Sequence, residues 1–376
     1  MAAAEVVVAG HVCLDVIPRL DGPADLAPGG LITVGPAELP TGGSVLNTGL
    51  ALHRLGVGVR LVGRVGDDLF GTGVLDALRE HDPALAAGMV VAPGEATSYS
   101  IVISPPGVDR SFLHCTGAND GFTNDDVRDE ALAGARVFHF GYPPLMRAMI
   151  AEGGGELQRL FARARGAGAT TSLDLCMPDP GSEAGRVDWE ALLAATLPHV
   201  DVFAPSVGEL LVMLERDAGA TVDRALLTRV AERLLAMGAP IVAIKLGDQG
   251  LYLRTSAGVG RVAGRLGLDA DAWREREVVS PCFAPARVAG TTGSGDATIA
   301  GLLAALLRAE DPVTAATSAT AVGACSVEAP DATGGIPPWP QVAERMRAGW
   351  PRLPLTLDLG GGAQADASGT FVLDRG

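Results

Sequence analysis

Val288-Ala289-Gly290-Thr291-Thr292-Gly293-Ser294-Gly295-Asp296-Ala297-Thr298-Ile299 is the stretch on which the reading of this 376-residue chain turns. Beyond it Ile299, Leu302, Leu303, Leu306 and Leu307 recur at helical spacing, so the glycines stand just before a helix. Amide N–H groups at such a helix start have no intrahelical partner, and the helix dipole adds partial positive charge there. Glycines let the backbone turn tightly and let an anion approach closely. No Gly-Lys-Ser/Thr follows, so this is not a Walker A loop, and Thr298 breaks a GxGxxG pattern. An acid, Asp296, stands at the phosphate end instead. A carboxylate there would repel a bound phosphate. It makes chemical sense as a base that takes the proton of an attacking hydroxyl while the amides hold the transferring phosphoryl. Taken alone, the same Asp reads equally well as a helix N-cap.

Outward from this loop, short apolar runs alternate with helical ones. Val6–Gly10, Val57–Val62, Val137–Phe140, Thr171–Leu175, Asp201–Ala204, Ile241–Lys245 and Leu251–Leu253 read as strands. Val45–Leu55, Leu69–Leu78, Ala297–Arg308 and Thr314–Ser326 read as helices. This rhythm predicts an α/β fold, a mostly parallel sheet covered on both faces, with ligands beyond the carboxyl ends of its strands. Val16–Leu39 and Thr97–Phe112 break the rhythm. The first is rich in Pro and Gly. The second alternates at Tyr99, Ile101 and Ile103 and then turns at Pro105-Pro106-Gly107. Both read as β-ribbons standing off the main sheet, a lid over its ligand end. Pro351–Gly376, with Gly360-Gly361-Gly362, reads as a partly disordered tail.

Composition narrows the function. The formal charge is -15, and no basic stripe is present for displacing counterions from nucleic acid. An anionic membrane surface would repel the chain. Ala297–Leu307, the longest apolar run, falls well short of the roughly 20 residues that span a bilayer. Met1–Ala9 has none of the basic residues of a leader, and the five Cys form no CxxC pair, which points to a reduced, cytoplasmic protein. Six His lie without metal-ligand spacing and are read as packing residues. Of 29 basic residues only Lys245 is Lys. At the end of a predicted strand, a compact ammonium is read as neutralising phosphate charge or bracing the glycine loop.

Other segments carry weaker signals. Thr41-Gly42-Gly43-Ser44-Val45-Leu46-Asn47 sets glycines at a helix start, with an amide that can donate to and accept from sugar hydroxyls. Asp15 follows the first strand and can bind two hydroxyls. Gly63–Gly71 reads as a structural turn, and Lys245-Leu246-Gly247-Asp248-Gln249-Gly250 as a tight connection at the same sheet end. Glu209, in Pro205-Ser206-Val207-Gly208-Glu209, can hold a hydrated Mg²⁺ or simply pair with a helix dipole. Tyr99, Phe112 and Tyr142 are candidates to stack on a base or a sugar face.

In this order along Glu5–Trp350, these segments resemble the PfkB (ribokinase-like) carbohydrate and nucleoside kinases. The likeness rests on Asp15, on Gly42-Gly43 with Asn47, on the Gly63–Gly71 turn, on Gly117-Ala118-Asn119, on Ser206–Glu209, on Lys245–Gly250 and on Gly293–Asp296. It implies a three-layer αβα sandwich over residues 1–350 with a small β-lid at about 16–39 and 97–113. It also implies phosphoryl transfer from ATP·Mg²⁺ to a hydroxymethyl group of a sugar or nucleoside, and a possible homodimer through the lid. Asp296 then matches the catalytic base and Gly293, Ser294 and Gly295 the anion hole. Asp15, Gly42, Gly43, Asn47 and Asn119 match acceptor-binding positions. Lys245, Gly247, Gly250 and Ser206 fall at the nucleotide site, and Glu209 at the Mg²⁺ position, acting through water. Two departures stand out. Ser206 replaces the family's Asn, and Gly290 replaces the Asp that helps build a monovalent-cation site, so that cation is not carried over. A non-catalytic sugar- or nucleotide-binding regulator on the same fold is the alternative. A dinucleotide oxidoreductase fits less well, because Gly10-His11-Val12-Cys13 lacks GxGxxG.

Overall fold

A nine-stranded sheet organises the chain in the computed structural model, which describes residues 4–22, 28–105, 111–215, 217–360 and 363–373. Its strands in chain order are β1 (Val6–Gly10), β2 (Val59–Val62), β3 (Val137–Gly141), β4 (Thr170–Asp174), β5 (Val202–Phe203), β6 (Ile241–Lys245), β7 (Leu251–Thr255), β8 (Glu277–Ser280) and β9 (Phe371–Val372). Across the sheet they run β9-β8-β7-β6-β5-β4-β3-β1-β2. Pairings from β2 to β6 are parallel, and those through β7, β8 and β9 are antiparallel.

Successive strand residues feed opposite cores, as the pleat requires. Val6 and Val8 of β1 pack in one core with the helices Ser44–Arg54, Ser294–Leu307 and Pro312–Ser326. Val7 and Ala9 pack in the other with Gly155–Gly166, Trp189–Thr196 and Arg224–Met237. The result is the three-layer α/β sandwich expected, and predicted helix and strand positions agree within a few residues.

A second, smaller sheet leaves the carboxyl end of β1. Cys13–Pro18 pairs with Ala37–Glu38, with Thr41–Gly42 and with Tyr99–Ile103, which in turn pairs with Ser111–Cys115. Ala37–Glu38 and Tyr99–Ile103 lie within the two segments read as lid ribbons, Cys13–Pro18 and Ser111–Cys115 overlap their edges, and Thr41–Gly42 lies outside both. Residues 23–27 of the first segment and 106–110 of the second, including Pro106 and Gly107, lie outside the described residues.

The segment after Trp350 differs from the loose tail expected. β9 adds to the edge of the main sheet through Val278↔Val372 and Val279↔Phe371, and Leu359 and Leu373 are buried in the second core. Leu353, Leu355, Leu357 and Leu359 alternate, but the Pro, Gly and small residues around them hide the docking. Residues 361–362 and 374–376 lie outside the described residues.

His139, at the centre of β3, gives the fold a pH signature. It is fully buried, its Nδ1 is 2.9 Å from Ser172 Oγ, and its Nε2 has no partner among the described residues. Burial, aided by the charge on Lys245, pulls its pKa down to about 3. Between that value and 6.5 the unfolded chain binds a proton that folded His139 refuses. Its stability contribution is therefore complete above 6.5 and lost as pH falls, by about 1.4 kcal/mol per unit. In urea melts from pH 7 to pH 5, the wild type should lose about 2 kcal/mol more than His139→Asn. Equal losses would assign the acid sensitivity to other groups.

Candidate active site

Four parallel strands end at one place. Beyond or at their carboxyl ends stand His11 after β1, Tyr142 after β3, Asp174 on β4 and Lys245 on β6. The Ser294–Leu307 helix aims its first turn at the same point and packs against Ser44–Arg54. This is the edge at which open parallel sheets bind ligands.

Asp296 is the third residue of its helix and is 1% exposed. Gly293, not Asp296, precedes the helix, in the left-handed region at φ 73 and without a side-chain cap. The N-cap reading therefore fails. The carboxylate turns away from its own helix and accepts hydrogen bonds from three side chains on two other elements. Asn47 Nδ2 donates to Oδ2 at 3.0 Å, Tyr142 OH donates to Oδ2 at 2.8 Å, and Thr48 Oγ1 donates to Oδ1 at 3.3 Å. Burial lifts its pKa above the ordinary carboxylate value, while Lys245 and these three donors pull it back. A carboxylate held in place and made more basic suits proton abstraction.

The glycine loop beside it is shaped by close contacts. A Cβ at Gly293 would lie 2.4 Å from that of Ala332, and one at Gly295 would lie 3.6 Å from Lys245 Nζ. Lys245 is thus against the loop, and it also makes a 2.6 Å ion pair with Asp174 Oδ1. Asp174 is fully buried and its Oδ2 has no partner among the described residues. Lys245 is held charged: burial opposes the charge, and Asp174, Glu209 and Asp296 outweigh it. Carboxylate oxygens of this kind, one of them unmet, fit a hard divalent cation.

Asp15 meets Gly42, while Gly43 lies against His11 and Asn47 reaches Asp296. A Cβ at Gly42 would be 2.6 Å from Asp15 Oδ2, so only glycine leaves room for that carboxylate. Cys13 Sγ–H donates to Asp15 Oδ1 at 3.5 Å. Asn119 does not join them. It is fully buried, and its amide is taken up by Val12: Val12 N donates to Oδ1 at 3.2 Å, and Nδ2 donates to Val12 O at 2.8 Å. It clamps the strand exit and has no face toward an acceptor.

Ser206 is likewise an architectural residue. Its hydroxyl accepts from Glu209 N at 3.2 Å, and Glu209 Oε2 accepts from Ser206 N at 2.8 Å, a capping box at the Val207–Leu210 helix. Glu209 sits in the first turn of this helix and caps it, as one of its two readings expects, and its charge also acts on Lys245. Gly250, at φ 98, packs 2.0 Å (as a Cβ) from Ser280 O, a backbone contact, whereas Gly247 has open space beside it. Gly290 sits against Pro330 O.

Sequence reasoning missed Thr48, Asp174 and His11, and gave Tyr142 only a stacking role. The signal available for three of them was position: each follows or ends a parallel strand. Thr48 is signalled by nothing beyond its place after Asn47.

A model of the pfkB family carbohydrate kinases matches residues 3–339. An uncharacterised sugar kinase of Archaeoglobus fulgidus is 26% identical over 77% of this chain and 98% of its own length. The 2-dehydro-3-deoxygluconokinase of Bacillus subtilis is 25% identical over 85% of this chain and 90% of its own. Among solved structures, an Arabidopsis thaliana ribokinase complexed with ribose and ATP superposes with a TM-score of 0.70 at 18% identity, covering 91% of this chain and 98% of that one. The chain belongs to the pfkB family of carbohydrate kinases.

Proposed function

We propose that this carbohydrate kinase moves the γ-phosphoryl of ATP to a hydroxymethyl group of a sugar or nucleoside, with Asp296 as the base and Gly293–Gly295 as the anion hole. The observation that carries this reading is the buried Asp296, held by Asn47, Thr48 and Tyr142, beside an uncapped helix start. Asp15 and Asn47 orient the acceptor's hydroxyls. Asp296 receives the proton of the hydroxyl that attacks, and loop amides stabilise the charge that develops on the phosphoryl oxygens. Lys245, against Gly295, holds positive charge beside the loop. The unmet Asp174 Oδ2 and Glu209 are the groups that would hold Mg²⁺, Glu209 through water. When bound, Mg²⁺ neutralises phosphate charge. The small sheet closing over this edge would exclude water from the phosphoryl.

A coupled ADP-release assay with ATP and Mg²⁺ over neutral sugars, nucleosides and sugar acids tests the reading. Acceptor-dependent ADP release is expected. Thermal stabilisation by an acceptor with no ADP release from any of them would replace it with a non-catalytic binding role.

A further inference from the structure

His11 lies at the acceptor end of this site and plays no part in holding Asp296. It is 1% exposed. Its Nε2 faces two groups, His114 Nε2 at 3.3 Å and Ser98 Oγ at 3.4 Å. Ser98 settles which nitrogen carries the proton. Its hydroxyl hydrogen is spent on Cys115 O at 2.7 Å, so toward His11 the oxygen can only accept. Nε2 is therefore the protonated nitrogen of a neutral ring. His114 Nε2 then accepts as well, and its Nδ1–H donates to Ser100 Oγ at 3.1 Å. Burial, with His114 adding to it, holds His11 well below its ordinary pKa, which keeps the ring neutral at pH 7.

This tautomer leaves His11 Nδ1 with a lone pair. The atom is buried and has no partner among the described residues. It points at Gly43, where a Cβ would come within 2.7 Å of it, and Gly43 itself holds φ 88. A side chain at position 43 would press on this nitrogen, and glycine carries none. The Tyr142 ring is 6.0 Å away, and its hydroxyl is on Asp296. Leaving a buried acceptor unmet is costly, so a bound molecule that donates to it gains affinity.

We propose that His11 is a specificity-determining residue whose Nδ1 accepts a hydrogen bond from a hydroxyl of a neutral, polyhydroxylated acceptor. The proposal rests on the kinase reading of the site and adds the class of acceptor. Asp15 and Asp296 are carboxylates and His11 Nδ1 is an acceptor without a partner among the described residues, so this end of the site favours donors. Hydroxyls supply them, whereas a carboxylate or phosphate placed there would bring like charge and no hydrogen.

Steady-state kinetics on the wild type, His11→Ala and His11→Gln would test it, with neutral sugars, nucleosides, their deoxy analogues and 2-dehydro-3-deoxygluconate as acceptors. In the wild type, the best acceptor is a neutral polyol, and one deoxy analogue has a KM about tenfold higher. His11→Ala raises the KM of the parent about tenfold, leaves the ATP KM within twofold and no longer distinguishes that analogue. His11→Gln, whose amide oxygen can accept, restores part of the difference. Equal losses for the parent and every deoxy analogue would reduce His11 to packing and overturn the assignment. Turnover of only acidic or phosphorylated acceptors would leave the kinase reading standing and overturn this one. No turnover of any acceptor would overturn both. Long-range ¹H–¹⁵N correlation spectra give a readout independent of activity. They should show His11 as the Nε2–H tautomer, with Nδ1 shifting on addition of the best acceptor; an Nδ1–H tautomer would refute the proposal.

Discussion

Asp296→Asn should lower kcat by about 10³–10⁴-fold while changing stability by no more than about 1 kcal/mol. The asymmetry follows from the hydrogen bonds. Oδ2 receives two donors, Asn47 and Tyr142, and an amide oxygen can take both. The amide nitrogen then faces Thr48 Oγ1, a hydroxyl that can accept as readily as it donates. The fold keeps its contacts and loses only the basic lone pair. The pH profile gives a second check. Burial raises the pKa of Asp296. The base form is the active one, so kcat/KM should fall as pH drops through a value above that of an ordinary carboxylate, and this limb should vanish in the variant. A variant that retains a wild-type rate, or an acid limb unchanged by the substitution, would remove Asp296 from the chemistry.

Much of this site was legible because of where parallel strands end. Gly293–Asp296 and Gly42–Asn47 are contiguous motifs at helix starts, and each brings its own local geometry, so residue spacing alone locates them. Asp15, one strand away, joins them through the glycine at position 42. The residues that were missed or misassigned act across elements. Tyr142 reaches Asp296 over 154 positions and Lys245 reaches Asp174 over 71, and no local pattern encodes such a meeting. Asn119 and Ser206 failed as ligand residues for the opposite reason. Backbone groups nearby already engage the Asn119 amide and the Ser206 oxygen, a fact invisible until the chain is folded. The docked β9 strand was hidden in the same way, since two residues pairing with a sheet edge leave no periodicity.

The single lysine provides the second large effect. Lys245→Met removes the partner of a fully buried carboxylate whose other oxygen is already unmet. Stranding such a charge typically costs about 3–5 kcal/mol. The variant should melt roughly 4–6 °C lower, and adding Asp174→Asn should recover part of the loss, because the stranded carboxylate is then gone. The pH dependence has a definite sign. The folded-state pKa of Lys245 lies above 10.5, so its contribution is complete below that value and is lost as pH rises through the folded pKa. Lys245→Arg separates the ion pair from the loop. A guanidinium keeps the positive charge, but its planar fork is wider than an ammonium. The lysine stem already runs within 3.5 Å of where a side chain at Gly295 would begin. Arg should therefore hold most of the stability while crowding the glycine loop, with kcat down about tenfold or more. If Arg matches Lys in both kcat and ATP KM, the ammonium has no special role at the loop, and the chain's one lysine is an accident of composition.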